Sequence, residues 1–346
     1  MRPPSNPADQ AWCRDILPRV SRTFALNIRL LERTLGESVR VGYLLCRAAD
    51  ALEDSWPGSP DEVRERFARF LAALDGDGAA ADSLARDAAA FARGRDDLEL
   101  VGALPRVLGV TAALPERHRA AVRLGVRTLA DGMSRYAARA AERGDAVPYL
   151  DTEAELHDYC YVVAGCVGEM LTRLHAAEYT LPDDDAMAER MRLSPVVGEA
   201  LQLTNILLDW PADVRRGRCY LPAAWLAEHG LVPRDLAGAP HRALPALVAR
   251  LERLARAALA QVPDYVTHVP RRHWRYRLFC LWPALWALGS LARVHAENEF
   301  PWGPRRPRIS RVELFADAFG SLLTVRGDQL LRWQYARRGG VAPRVG

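Results

Sequence analysis

Apolar residues recur at helical spacing along nearly the whole of this 346-residue chain, and no segment alternates as a strand does. That pattern restricts the fold to an all-α bundle, and two of its predicted helices carry polar side chains where burial is expected. In VGYLLCRAADAL and the residues just after it, Tyr43, Arg47, Asp50 and Asp54 break an apolar run at i, i+4, i+7 and i+11. Gln202, Asn205, Asp209 and Asp213 break a run of Leu and Ile at i, i+3, i+7 and i+11. These spacings put each set on one helix face, and Glu53 joins the first. An acidic face alone is more often simply solvated, but two matching stripes in one chain are hard to dismiss. Clustered carboxylates repel and call for a cation. Oxygen donors with room for water suit Mg²⁺, which takes a few carboxylates plus phosphate oxygens. The expectation is a central cavity in which a diphosphate is gripped from two sides.

Composition narrows the partners. The net charge of +4 is too small to imply nucleic acid, and all 47 basic residues are Arg because the chain has no Lys. Any cation that clamps a phosphate must therefore be a planar guanidinium fork. Six Cys without metal-ligand spacing, and a first twenty residues containing Pro, Asp and Arg, fit a cytoplasmic protein without a signal peptide. The most apolar stretch, FCLWPALWALGSLA at 279–292, is shorter than the roughly 20 residues that span a bilayer. It reads as a core helix, not a transmembrane one. A peripheral membrane contact would suit a greasy substrate.

Ser59-Pro60-Asp61-Glu62 and Thr152-Glu153-Ala154-Glu155 read as capping boxes, opening helices to about Leu74 and Tyr179. Further helices are expected near 21–31, 36–54, 82–94, 97–112, 116–142, 195–214, 243–261, 272–298 and 311–335. The breaks between them are too short for domain linkers. The predicted organisation is an N-terminal extension over 1–20, one all-α domain over 21–336, and a disordered tail over 337–346.

SRTFALNIRLL, YLLCRAADALED and LQLTNILLDWPADVRRGRCYLP resemble the opening motif and the two aspartate-rich regions of the squalene/phytoene synthase family of head-to-head prenyltransferases. DYCYVVAGCVG resembles the segment with that family's catalytic tyrosine, which maps onto Tyr159. FCLWP and RPRISR resemble the C-terminal part of its squalene-forming branch, so the likeness runs from about residue 20 to 335.

The resemblance implies an isoprenoid-synthase helical bundle that joins two prenyl diphosphates, farnesyl diphosphate or a similar one. Asp50, Glu53, Asp54, Asn205, Asp209 and Asp213 would hold Mg²⁺ against the diphosphate. Arg47 and Arg218 would contact phosphate oxygens, and Tyr43, one turn from Arg47, would orient it. Ser21, Arg22, Phe24, Gln202 and Phe279 would line the substrate site, and Tyr159 would sit near the proton lost on coupling. Most aromatics are simply core, so a role for Phe24 or Phe279 at a cation stands against ordinary packing. Reduction to a squalene-type product would need NADPH. No GxGxxG follows a strand, so Arg306, Arg308, Ser310 and Arg311 would meet its phosphates, against the reading of a solvated basic loop.

The chain also departs from the family. Leu208 stands where a basic residue usually precedes the first Asp of the second motif, Ala212 replaces an acidic residue, and Pro211 is expected to kink the helix and displace Asp213. Two other readings stay open: coupling without reduction, giving presqualene diphosphate, dehydrosqualene or phytoene, and a degenerate prenyl-diphosphate-binding protein without turnover.

Overall fold

The computed structural model describes residues 6–143, 148–182 and 184–339, apart from the side chain of Arg33, and among them there is no strand. The chain divides into two compact units, Met1–Ala141 with Glu169–Pro182 and Glu142–Gly168 with Asp183–Gly346.

The first unit contains α1 (Pro7–Val20), α2 (Arg22–Ile28), α3 (Arg33–Asp54), α4 (Pro60–Leu74), α5 (Gly78–Ala89), α6 (Asp96–Gly102), α7 (Leu104–Ala112) and most of α8 (Glu116–Arg143). Helix α1 lies in the stretch expected as an extension. Asn6 caps it, Pro7 opens it, and it buries Cys13, Ile16 and Leu17. The box at Ser59 forms as expected: its side chain accepts from the Glu62 N–H while the Glu62 carboxylate accepts from the Ser59 N–H. Helix α3 buries Val41, Leu44, Leu45, Ala48, Ala49 and Leu52, each worth up to about 1.5–3 kcal/mol for the larger side chains. Its partly accessible positions include Tyr43, Arg47, Asp50, Glu53 and Asp54.

The second unit contains α9 (Glu153–Cys160), a π-helical turn at Tyr161–Gly165, the first residues of α10 (Cys166–Tyr179), α11 (Asp185–Arg215), α12 (Ala223–Ala227), α13 (Leu244–Leu259), α14 (Val262–His268), α15 (Trp274–Leu291), α16 (Arg311–Thr324) and α17 (Asp328–Arg338). Helix α11 packs against α13, α14 and α15. It runs unbroken through Pro195 and Pro211, so Pro211 does not end it and Asp213 stays within the helix. The ring of Pro211 is itself buried.

The box at Thr152 is only half formed. Thr152 accepts from the Glu155 N–H at 3.2 Å, but the Glu155 carboxylate accepts from Asp151 instead, at 2.6 Å. The apolar stretch around residue 285 belongs to a segment, Arg271–Ala296, that is long and apolar enough to cross a membrane by length and composition. Within it 78% of the most apolar window is buried, which marks a core helix. The tail expected from residue 337 lies outside the described residues beyond residue 339.

Candidate active site

In the first unit the site is built on α3. Ser21 ends α1 and caps α2, accepting from the Phe24 N–H, and its side chain also hydrogen-bonds Tyr43. Phe24 stacks on Tyr43 with ring centroids 5.1 Å apart. The opening motif thus packs directly on the polar stripe of α3, while Arg22 points to solvent as an exposed residue. Burial pushes the Tyr43 phenol above its ordinary range.

One turn on, Arg47 donates to both oxygens of Asp97, at 3.0 and 2.7 Å, and lies 3.6 Å from Asp50. The fork expected on phosphate is therefore occupied by a carboxylate from the first turn of α6. Asp97 was not foreseen. Its only sequence signal is the run Asp96-Asp97 at a helix start, where acids favour the macrodipole without regard to any site.

Burial among its neighbours pushes Asp50 up to about 7; the Arg47 guanidinium pulls it down and the Asp54 carboxylate pushes it further up. Beside this helix end lies an open cleft of about 800 Å³ whose walls include Arg47, Glu53, Asp54, Trp56 and Asp97.

In the second unit the polar stripe of α11 is its accessible edge. Gln202, Asn205, Asp209 and Asp213 keep exposed surface, whereas Leu203, Thr204, Ile206, Leu207, Leu208, Trp210 and Pro211 are buried. Leu208, in place of the family's basic residue, is thus a core side chain. Asp209 is pushed up by burial and pulled down by the nearby Arg306, Arg308 and Arg216. Arg306 pairs with it directly, Nε to Oδ1 at 2.9 Å. Expected on a cofactor phosphate, Arg306 instead neutralises an expected metal ligand, because the half-buried Asp209 needs a counter-ion. The loop carrying it is pinned by Arg215, which donates to the Gly303 carbonyl at 3.3 Å. The Asp213 carbonyl accepts from the N–H groups of Arg216 and Arg218, turning the chain after α11.

Tyr159, on α9, is half-buried, unlike the enclosed Tyr276. Its ring stacks on Tyr220 at 4.9 Å and 24°, and Tyr149 meets Tyr220 edge-on at 5.4 Å. Tyr220 sits inside the motif RGRCYLP, yet only the fold brings it to Tyr159. The segment of Tyr159 is held against α11 by glycines. A Cβ on Gly198 would lie 2.7 Å from the Ala164 carbonyl carbon and 2.9 Å from the Gly165 Cα, and one on Gly168 would lie 2.8 Å from the Ser194 carbonyl carbon. Only residues without a side chain permit this approach.

Phe279 is buried in α15 and stacks on Tyr276, a packing position. Ser310 is the N-cap of α16, in a reciprocal box with Glu313. That box satisfies the end of the helix and places a carboxylate there, so a phosphate contact from this loop rests on Arg308 and Arg311, both exposed.

The donor chemistry fits a hard divalent cation. Asp50 is a carboxyl already pushed up beside a second acid, and Asp209 is a half-buried carboxylate that already attracts cations. Among the described residues no three acidic, His or Cys side chains converge to hold a metal by themselves. The protein would supply part of a Mg²⁺ shell, and phosphate oxygens the rest.

Residues 17–313 match the family described as squalene/phytoene synthase. Squalene synthase of Homo sapiens is 26% identical over 312 residues, 88% of this chain and 69% of that protein. Phytoene synthase of Thermus thermophilus is 44% identical over a shorter stretch of 109 residues, 31% of this chain and 35% of that one. Among solved structures, squalene synthase of Alicyclobacillus acidocaldarius superposes with a TM-score of 0.56 at 23% identity, over 84% of this chain and 94% of that one. A ligand-bound dehydrosqualene synthase gives 0.59 at 23% identity, over 92% and 97%. The shared architecture is the helical isoprenoid-synthase fold.

Proposed function

This chain belongs to the squalene/phytoene synthase family of prenyltransferases, and on that premise we propose that it couples two farnesyl diphosphates head to head. Coupling would pass through presqualene diphosphate, with NADPH then reducing the product to squalene. The observation that carries the reading is the edge of α11: a ladder of amide and carboxylate side chains left accessible on a helix otherwise buried from Leu203 to Pro211. One such edge could be merely solvated, but α3 carries a matching one in Tyr43, Arg47, Asp50 and Asp54, and the pair supports a shared task.

Asp50, Glu53 and Asp54 on α3, and Asn205, Asp209 and Asp213 on α11, would each offer oxygen donors to Mg²⁺. When bound, it would offset the charge that grows on a departing diphosphate. Arg47 keeps Asp50 and Asp97 in register instead of reaching for phosphate itself. Arg218 and Arg216, at the turn after α11, offer forks to phosphate oxygens. Tyr43 stiffens the opening motif through Ser21 and Phe24. Tyr159, with its ring fixed against Tyr220, would relay the proton lost on coupling: its phenol oxygen takes that proton as its own O–H proton passes to the diphosphate, the final base. Arg308 and Arg311 would hold the cofactor phosphates.

A second reading is supported by one observation. With Arg306 on Asp209 and Ser310 engaged as a cap, two arginines remain of the expected cofactor set. Coupling without reduction would then give presqualene diphosphate, dehydrosqualene or phytoene. Incubation with farnesyl diphosphate and Mg²⁺, with and without NADPH, tests both readings by mass spectrometry. Squalene appearing only with NADPH is the expected result. The same product set with and without NADPH refutes the reductive step, and no diphosphate release at all refutes the enzyme.

A further inference from the structure

The outward face of α16 is apolar along its whole length. Val312, Phe315, Phe319, Leu322 and Leu323 are all exposed, with both phenylalanines at 67%. On α17, which packs against α16, Leu330 and Trp333 extend the surface. Isolated exposed apolar residues need no explanation, whereas a contiguous patch this size does.

The charges are sorted. The two acids of α16 turn inward: Glu313 pairs with Arg293 at 2.5 Å and Arg338 at 3.4 Å, and Asp317 pairs with Arg338 at 3.1 Å. The one acid of α17, Asp328, pairs with the buried Arg277 at 2.7 Å. The outward rim carries arginines: Arg326 just past the end of α16, and Arg337 over the Trp333 ring at 5.5 Å. Arg326 is itself steadied by the Trp274 ring, 4.6 Å away.

We propose that this face docks on the surface of an anionic lipid bilayer. Exposed Phe and Leu, a rim of cations and an interfacial Trp are what a helix lying in the headgroup plane requires. At 14 residues, α16 is about 21 Å long and too short to span, so it lies flat. The sorting of charge favours lipid over a second copy of this chain. A two-fold pairing would bring the patch against itself, with no outward acid on α16 or α17 to meet the arginines. Anionic headgroups supply that complement, at about fivefold in affinity per arginine near the surface. The proposal stands on the surface itself and does not depend on which product is made.

Sedimentation of the full chain with vesicles of phosphatidylcholine, with and without an equal share of phosphatidylglycerol, is the test. The chain should pellet with the anionic vesicles, and the double variant F315E/F319E should lose at least tenfold in bound fraction. R326Q/R337Q should lose about twentyfold on anionic vesicles, with a flatter salt dependence. A native chain that stays in the supernatant at every composition overturns the proposal. So does a native dimer, seen by sedimentation velocity, that F315E/F319E splits without any change in vesicle binding. Diphosphate release in the absence of vesicles, measured in parallel, reports separately on the catalytic reading.

Discussion

The close approach of Gly198 to Ala164 and Gly165 can be perturbed by one methyl group. Gly198→Ala places a Cβ 2.7 Å from a carbonyl carbon and 2.9 Å from a Cα, both backbone atoms that no rotamer change can move. Carbon atoms rest at about 3.5–4.0 Å, so the two segments must part by roughly 1 Å. Overpacking of this kind costs about 1–3 kcal/mol, and rigid neighbours place it near the upper value. Alanine recovers about 1 kcal/mol through its helix propensity, leaving a net loss of about 2 kcal/mol.

Gly109→Ala is the internal control, an exposed position on α7 with nothing within 4 Å of the added methyl. It should gain about 1 kcal/mol from propensity alone. At about 2.1 cal/mol/K per residue, unfolding 346 residues carries roughly 0.7 kcal/mol/K. Gly198→Ala should therefore lower Tm by about 3 °C and Gly109→Ala raise it by about 1 °C. A 1 Å misplacement of a catalytic segment costs on the order of 10²-fold in rate, so diphosphate release should fall with Gly198→Ala and hold with Gly109→Ala. Equal melting points and equal rates for the two variants would refute the idea that this contact positions Tyr159.

Tyr159→Phe keeps the ring stack on Tyr220 and should lose about 10²–10⁴-fold in coupling rate with unchanged Tm; an unchanged rate makes Tyr159 a packing residue. Asp50 is pushed up to about 7, so its metal-ready anion forms as pH rises through that value. At limiting Mg²⁺, diphosphate release should fall about tenfold per pH unit below 7, and Asp50→Asn should flatten that slope at a much lower rate. Arg306→Gln removes the internal counter-ion of Asp209. The pair is a third exposed and worth about 0.5–1 kcal/mol, so the Mg²⁺ dissociation constant measured calorimetrically with inorganic pyrophosphate should fall about two- to fivefold. An unchanged or weaker constant means that the pair does not compete with metal.

What could be read from the sequence was local. The polar stripes of α3 and α11 follow from spacing alone, and both lie on accessible edges. The Ser59 box likewise depends on residues three apart. What escaped depends on partners distant in sequence: Asp97 on Arg47 across 50 residues, Tyr220 on Tyr159, Arg306 on Asp209. Some boundaries escaped for other reasons. The helix expected over 97–112 divides at Ala103, where Pro105 begins a new first turn, and that over 311–335 divides at Gly327. Helix α1 had a legible signal, Asn6 before Pro7, which the weak apolar pattern behind it obscured. Pro211 was expected to kink α11 and displace Asp213; the helix continues through both residues, with Leu207 and Trp210 buried next to the lost donor.

A helix is also a clock: each residue turns its side chain by about 100°, so two segments of one continuous helix cannot be aimed independently. The π turn at Tyr161–Gly165 resets that clock, because its wider loop takes in one residue more than an α turn. The hour of α10 is fixed at Gly168, where backbone meets backbone, and the hour of α9 by the pairing of two tyrosine rings. One surplus residue lets both settings hold. Winding the same residues as ordinary helix, with none removed, would leave Gly168 where it is but give the surplus residue its own step of rotation. Tyr159 would then swing roughly 100° away from Tyr220 while every residue named as functional was still present.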